Sequence, residues 1–418
     1  MTEETVVTTY PTTDLPKLLD KPARGPLACT VKQENFKAAL AAVSKALPSK
    51  NIMPVLSFVL IASDGDRLRL SATNLEITIT TWIGALIETP GSVAIPAKTL
   101  SDLVATMRAG DVSLRLNQRT QTIFMTGVGI KSNIKGLDAD EFPIIHGLNP
   151  DRALEFDTEV WRRAIDRVSF AAATDEARPI MASVAIEITG NRARLCATDG
   201  FRLAVETIPL KDPVLNPVTL LVPAKSLAEA NKVLDPDDPL LMDVSYKGAV
   251  VMQNGPRLMS CQLLEGEFPR YDAILPQQWD TRLVVSTDAL RNVVKSVDII
   301  AREINHTARF QMSPGGNDTP GMIVATAVAE FGDNMAETEA VVDGHAIQIA
   351  FNTNFFLQGL GVVSLPQVSL EMTTAIRPAV LRPVGDDGYF YVLMPMQIKE
   401  PKPAEAKADA RPEPVEAR

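Results

Sequence analysis

The stretch Cys196-Ala-Thr-Asp-Gly-Phe-Arg-Leu-Ala-Val205 sets an aspartate beside a glycine, a pair able to act as metal ligand and general base or simply to turn the chain. Three further runs, Asp64-Gly-Asp66, Asp138-Ala-Asp-Glu141 and Asp235-Pro-Asp-Asp238, crowd carboxylates closely enough to hold a divalent cation. Each of these runs lies among glycine or proline, where loop tips are expected. The three histidines, His146, His306 and His345, are not paired at metal-ligand spacing. Cys29, Cys196 and Cys261 are odd in number and far apart, so a disulfide framework and a paired-cysteine metal or redox site are both unsupported; buried thiols are expected. The sequence contains no phosphate-binding P-loop, no glycine-rich dinucleotide loop, no nucleophile elbow and no His-Glu-x-x-His zinc motif. No catalytic residue, metal or cofactor is therefore expected.

The elements that would position these residues repeat. Arg192–Thr198 and Phe201–Glu206 alternate polar and apolar residues on either side of Asp199-Gly200, which reads as a hairpin whose turn needs positive φ. Leu70-Ser-Ala-Thr-Asn-Leu-Glu76 resembles Leu195-Cys-Ala-Thr-Asp-Gly-Phe201, and Ile95-Pro-Ala-Lys-Thr-Leu100 resembles Val222-Pro-Ala-Lys-Ser-Leu227. Asp140-Glu-Phe-Pro143 matches Gly266-Glu-Phe-Pro269. All three landmarks recur in order, about 126 residues apart. A weaker third copy carries Ile323-Val-Ala-Thr326 and Ala350-Phe-Asn-Thr-Asn-Phe-Phe-Leu357. Each unit opens on apolar residues at helical spacing, led by Phe36, Trp161 and Leu290. The pattern predicts an α+β chain: a loose N-terminal arm over 1–26, units over 27–150, 151–279 and 280–398, and a flexible tail of proline, alanine and charge over 399–418.

With 46 % hydrophobic and 22 % charged residues, the 418-residue chain has an ordinary globular composition. Its N-terminus lacks the basic and apolar regions of a signal peptide, so a cytoplasmic location without membrane association is expected. The net charge of −10 argues against gripping nucleic acid by bulk electrostatics; positive charge for such a role must be placed locally.

Ala197-Thr-Asp-Gly-Phe-Arg-Leu-Ala204, Glu267-Phe-Pro-Arg-Tyr-Asp-Ala-Ile-Leu-Pro276 and Tyr391-Val-Leu-Met-Pro-Met396 resemble three signature stretches of the bacterial DNA sliding clamps, the beta subunits of DNA polymerase III. Met53-Pro-Val-Leu-Ser57 and Asn74-Leu-Glu76 agree. Phe201 and the run Ala379-Val-Leu-Arg-Pro-Val384 look most like clamps of actinobacteria or their phages. The resemblance implies three clamp domains, each of two helices with antiparallel sheets, in a head-to-tail homodimer that closes a six-domain ring around duplex DNA. It also implies a non-catalytic processivity factor without exonuclease activity of its own. Its partners would be the polymerase III alpha subunit, the clamp loader, and translesion polymerase, mismatch-repair and ligase proteins.

Matched position by position, the family's peptide groove falls on Met181, Thr198, Gly200, Phe201, Arg202, Leu203, Pro269, Ile274, Asn352, Phe355, Ile376, Val392, Leu393, Met394, Pro395 and Met396. Methionine and leucine in such a groove give an adaptable apolar wall. The DNA-facing candidates are Lys32, Lys37, Lys45, Lys98, Arg108, Arg162, Arg163, Arg167, Arg291 and Lys295, with Lys50 and Arg178 in loops. At the ring interface Ser132 and Ile134 are expected to face Ile299 and Ile300 of a second copy. The chain departs from the family at Ala273 and at Gln397-Ile398, which remove positive charge from the groove rim. Phe201 replaces a common histidine, and Ser132 replaces a large apolar residue. These departures also allow an alternative, a clamp-derived paralogue or phage protein that binds clamp-seeking peptides or a clamp-directed inhibitor without being the main replicative clamp.

Overall fold

A computed structural model describes residues 17–48, 53–175, 177–244, 246, 248–276, 278–316 and 319–397. Lys50, most of the N-terminal arm and the C-terminal tail lie outside the described residues. The first unit contains β1 (Ala28–Lys32), α1 (Gln33–Val43), β2 (Phe58–Asp64), β3 (Arg67–Thr73), β4 (Ile77–Thr89), β5 (Ser92–Pro96), α2 (Ala97–Thr106), β6 (Asp111–Asn117), β7 (Thr122–Gly127) and β8 (Ile130–Lys135). The second contains β9 (Ala153–Phe156), α3 (Thr158–Val168), β10 (Ser183–Thr198), β11 (Arg202–Pro223), α4 (Ala224–Asn231), β12 (Leu240–Asp243), β13 (Ala249–Asn254) and β14 (Arg257–Gln262). The third contains β15 (Thr281–Ser286), α5 (Thr287–Ala301), β16 (Thr307–Ser313), β17 (Gly321–Ala329), β18 (Gly332–Gly344), β19 (Ile347–Asn352), α6 (Thr353–Gly361), β20 (Gln367–Met372), β21 (Ala379–Pro383) and β22 (Tyr389–Leu393).

The apolar leaders of the three opening helices, Phe36, Trp161 and Leu290, are all buried, so one face of each helix is spent on its own unit's core. Within every unit the two helices pack together and against the strands. Side-chain caps start α3, α5 and α6: the Asp157 carboxylate accepts the Val160 N–H, the Ser286 hydroxyl that of Ala289, and the Asn352 amide oxygen that of Phe355.

Sheets ignore the unit boundaries. One runs β8-β7-β6-β1-β4-β14-β13-β12-β9, joined alongside by β3, β2 and β5; the other runs β10-β11-β22-β21-β20-β15-β18-β17-β16-β19. Thus the last strand of the second unit, β14, pairs with the long strand β4 of the first, and the last strand of the third, β22, pairs with the long strand β11 of the second. The third long strand, β18, pairs with β17 and, near its far end, with β15, while β8 ends the first sheet.

The arm differs from its expectation where it is described. Residues 17–26 are strapped to the first unit: the Leu19 N–H donates to the Ile145 carbonyl, the Arg69 guanidinium to the Asp20 carbonyl and the Ser92 hydroxyl to the Ala23 carbonyl. Composition misses this strap because it is held by backbone groups and by one half-buried leucine, Leu19, rather than by an apolar period. No helix among the described residues is long and apolar enough to cross a membrane.

Candidate functional site

Asp199 is a turn builder. Its Oδ1 accepts the N–H groups of Phe201 (2.9 Å) and Arg202 (3.1 Å), the Thr198 hydroxyl accepts the Gly200 N–H (3.1 Å), and Gly200 holds φ +92°. The other carboxylate runs also have structural tasks. Asp64 accepts the Trp82 indole N–H, Asp138 caps a short turn through the Asp140 N–H, and Asp235 takes the Arg257 guanidinium. All three thiols are buried, and burial pushes Cys29, Cys196 and Cys261 up to about 12, which leaves them protonated and unreactive at neutral pH.

The hairpin between β10 and β11 carries the site. Its tip is clamped to the end of β22: Arg202 pairs with Leu393, Leu203 with Val392, and the Met394 N–H donates to the Phe201 carbonyl at 3.0 Å. Beneath the tip Arg202 is only 7 % exposed, yet every face of its guanidinium is used. Its Nε donates to Asp199 (3.0 Å), its Nη2 to the Phe170 carbonyl (2.9 Å) and its Nη1 to Gln358. The plane also lies over the Phe355 ring at 4.4 Å and near that of Phe170 at 5.5 Å. One side chain therefore ties the hairpin to the turn after α3 and to α6. The Tyr391 hydroxyl completes this floor by donating to the Phe355 carbonyl at 2.9 Å.

Above the floor stand the exposed apolar residues Phe201 and Met394, with Met181 half-buried next to Gly200 and Pro395 and Met396 half-buried on the strand exit; Ile376 is exposed in the turn before β21. The Met396 N–H donates to the Ala350 carbonyl, holding that exit against β19. Pro269 is exposed on the segment after β14; Ile274 lies in a short 3-10 turn. Asn352 serves as the cap of α6. Of the residues assigned to the groove from the sequence, Thr198, Arg202, Leu203, Val392 and Leu393 are buried and form the floor; consecutive residues of both strands are covered, so this strand pair is packed on both faces. Gln358 and Phe170, which hold Arg202, had no signal in the sequence; each meets it only through nonlocal packing.

The cation set also divides. Lys37, Lys45, Lys98, Arg108, Arg163 and Lys295 are exposed, and Arg162 is half-buried. Lys32 is exposed and pairs with Asp111 at 2.7 Å, and Arg178 pairs with Asp175 at 3.4 Å. Arg167 is a correction: it is 3 % exposed, bonded to Glu206 (3.2 Å) and Asp386 (2.7 Å) and stacked on Tyr389, so it braces the second unit against the third. Burial acts to raise the Asp386 carboxyl, but the Arg167 hydrogen bond and the Gly388 N–H outweigh it and hold the group below its ordinary range. Arg291 is a second correction, since it reaches inward to the Leu360 (2.9 Å) and Val363 carbonyls. Of the interface candidates, Ser132 and Ile300 are half-buried and Ile299 is exposed, whereas Ile134 belongs to the core.

Fold and site together define a repeated α+β scaffold with exposed apolar side chains at a unit boundary. Three family models match it in succession: the N-terminal domain of the DNA polymerase III beta subunit over residues 27–146, the central domain over 155–270 and the C-terminal domain over 272–397. The chain is 27 % identical over 376 residues to the beta sliding clamp of Synechococcus elongatus and 25 % identical over 384 residues to that of Staphylococcus aureus. Each match takes in 88 % of this chain and 98 % of the relative. The Bacillus subtilis DNA polymerase sliding clamp superposes with a TM-score of 0.85 at 23 % identity, over 90 % of this chain and all of that one. The Pseudomonas aeruginosa DNA polymerase III beta subunit superposes at 0.82 and 24 %, over 89 % and all of that chain. The chain belongs to the DNA polymerase III beta subunit family, the beta sliding clamps, which are non-catalytic accessory subunits. Its role is that of a processivity factor in DNA replication.

Proposed function

We propose that two copies of this chain close head to tail into a six-domain ring that encircles duplex DNA and docks its partners in the cleft around Phe201 and Met394. The observation that carries this reading is the repeated boundary. The strand that ends each following unit pairs with the start of the preceding unit's long strand, Cys261 with Ile77 and Leu393 with Arg202. The same rule applied to β18 calls for a β8, and the protomer's own β8 lies at the far end of the other sheet. A second copy supplies it, and after two such contacts neither copy has a free β8 or a free start of β18.

The register that follows sets Ile134 against Gly332, Ser132 against Asn334 and Lys131 against Met335. Lys131 then lies diagonal to Asp333 and Glu337, a favourable cross-strand arrangement of charge. Ile299 and Ile300 of α5 border this seam. Ser132 contributes no large apolar contact there, so charge and backbone pairing carry more of the closure.

In the ring reading the domains are 27–150, 151–279 and 280–398, and Lys37, Lys45, Lys98, Arg108, Arg163 and Lys295 face the DNA backbone without reading its bases. Arg178 adds a further contact to the backbone. Retention is topological, so the net charge of −10 does not oppose it. The cleft takes short linear peptides of the polymerase III alpha subunit, the clamp loader and the translesion, mismatch-repair and ligase proteins, in the cytoplasm. Phe201 and Ala379–Val384 support a clamp of the actinobacterial or phage type, and the chain itself performs no catalysis. Exposed Ala273 and Gln397 leave two rim positions uncharged, which reduces the pull on acidic groups in the peptide.

The test is sedimentation of the purified chain followed by loader-dependent retention on nicked circular DNA, with release on linearisation. A monomer at every concentration, or a dimer that no clamp loader places on DNA, rejects the replicative ring. Binding of clamp-seeking peptides without loading would mark the paralogue instead.

A further inference from the structure

The two boundaries inside the protomer share one more feature. In each hairpin the last strand pair encloses four residues, Thr73 with Thr78 and Thr198 with Leu203, and the third enclosed residue offers its carbonyl to the arriving strand. The Gln262 N–H donates to Glu76 at 2.8 Å and the Met394 N–H to Phe201 at 3.0 Å. The hairpin of β17 and β18 turns more tightly, its last pair being Ala329 with Gly332, but Phe331 immediately precedes its long strand as Glu76 and Phe201 precede theirs. Phe331 is 87 % exposed, the most exposed large hydrophobic side chain among the described residues, and Val328 and Met335 beside it are also bare.

Where the rule puts the end of a second copy's β8, the first unit has a cavity of about 560 Å³ lined by Arg119, Thr120, Gln121, Thr122, the last β8 residue Lys135, and Gly136 to Asp138 with Glu141. Two details make it a receptor for a ring. The Gln121 side-chain oxygen is buried and accepts no hydrogen bond among the described residues, and Leu137 is half-buried with apolar atoms left to cover. Charge is matched as well: Arg119 and Lys135 stand on the rim, and Glu330 precedes Phe331 at the tip. Of the two acidic groups nearby, Asp138 is already engaged in capping the Asp140 N–H.

We infer that Phe331 of one copy seats in this cavity of the other as the apolar anchor of ring closure. The positive edge of its ring points toward the Gln121 oxygen, the Arg119 guanidinium lies against its face, and the Phe331 carbonyl receives the Lys135 N–H of the second copy. This places at the subunit boundary the apolar contact that Ser132 does not make. The inference rests on the ring reading above and adds a residue and its receptor to it.

The experiment uses the full chain. Phe331→Ala is expected to raise the dimer Kd at least tenfold in sedimentation equilibrium with an unchanged circular dichroism spectrum and Tm, and Phe331→Leu to recover most of the affinity. Chains carrying Phe331→Cys, mixed with chains carrying Gln121→Cys and mildly oxidised, are expected to form a disulfide-linked dimer that contains one of each; the three native thiols are buried. A wild-type dimer whose Kd is untouched by Phe331→Ala and whose cysteine pair does not crosslink overturns the anchor and leaves the ring standing. Loss of peptide binding with an unchanged dimer Kd overturns it too, by making Phe331 part of a peptide site. A wild-type chain that never dimerises overturns the ring reading itself.

Discussion

The boundaries between the first and second units and between the second and third are built on the same backbone and finished with different chemistry. At both, a threonine hydroxyl and an Asx side chain hold the turn: Asn74 accepts the N–H groups of Glu76 (3.0 Å) and Ile77 (2.8 Å) as Asp199 does those of Phe201 and Arg202. Leu75 adopts the left-handed φ of +76° that Gly200 takes at no steric cost. Beneath the tips the two part company. Ile77 is buried at 2 % by apolar packing alone, whereas its counterpart Arg202 is buried among a carboxylate, a carbonyl, an amide and two aromatic rings. A buried guanidinium tolerates few geometries, because each unmet donor is costly. The first boundary is a joint; the second is a joint with a fixed orientation, suited to hold an exposed apolar cleft in one shape.

This contrast can be broken by replacing its key residue. Arg202→Ala is expected to cost about 3–5 kcal/mol in urea unfolding, since it strands Asp199 and the Phe170 carbonyl, and to abolish peptide binding. Ile77→Ala should cost about 2–4 kcal/mol through its cavity alone and leave peptide binding intact. If Arg202→Ala proves as mild as a surface change, the orienting role is wrong.

The second boundary also carries the Arg167–Asp386 bond, and pH can separate it from the first. Asp386 has a depressed folded pKa, so its contribution is fully present above the ordinary carboxylate value and is lost as pH falls through the folded one. Asp386→Asn is therefore expected to lose about 1.5–3 kcal/mol at neutral pH, with the gap from wild type narrowing under acid. Glu206 works the other way: burial raises its pKa against the pull of Arg167, so its protonation on acidification relieves a cost. Thermal melts of wild type and Asp386→Asn across the acid range check both signs.

The exposed tips give a subtler test. Met394→Ala or Phe201→Ala should weaken a Gln-Leu-x-Leu-Phe peptide by up to about 1.5–3 kcal/mol in calorimetry without moving Tm, since each loses at most one large apolar contact. Leu75→Ala should leave peptide binding alone. The smallest effect is expected from Leu75→Gly, within about 1 kcal/mol of neutral, where relief of the left-handed backbone is offset by glycine's greater freedom when unfolded.

Much of this was legible in the sequence because local patterns repeat. The helix leaders Phe36, Trp161 and Leu290, the Asx turns at Asn74 and Asp199 and the burial of the cysteines follow from periodicity, turn chemistry and polarity, which act over a few residues. The pairing of β14 with β4 and of β22 with β11 was not legible, because strand partners are chosen across more than a hundred residues by faces that only assembled units present. The same limit explains why Arg167 and Arg291 read as part of a cationic surface and turned out to be internal braces. Sequence by itself determined three units, their order, their turns and the family. Only the tertiary structure decided which charged side chains are spent inside, that Arg202 lies beneath the cleft rather than on it, and that Phe331 is left bare at the edge where a second copy is proposed to sit. The physical reason is that a hydrogen-bond partner or an exposed ring is a property of nonlocal neighbours, and no local pattern encodes them.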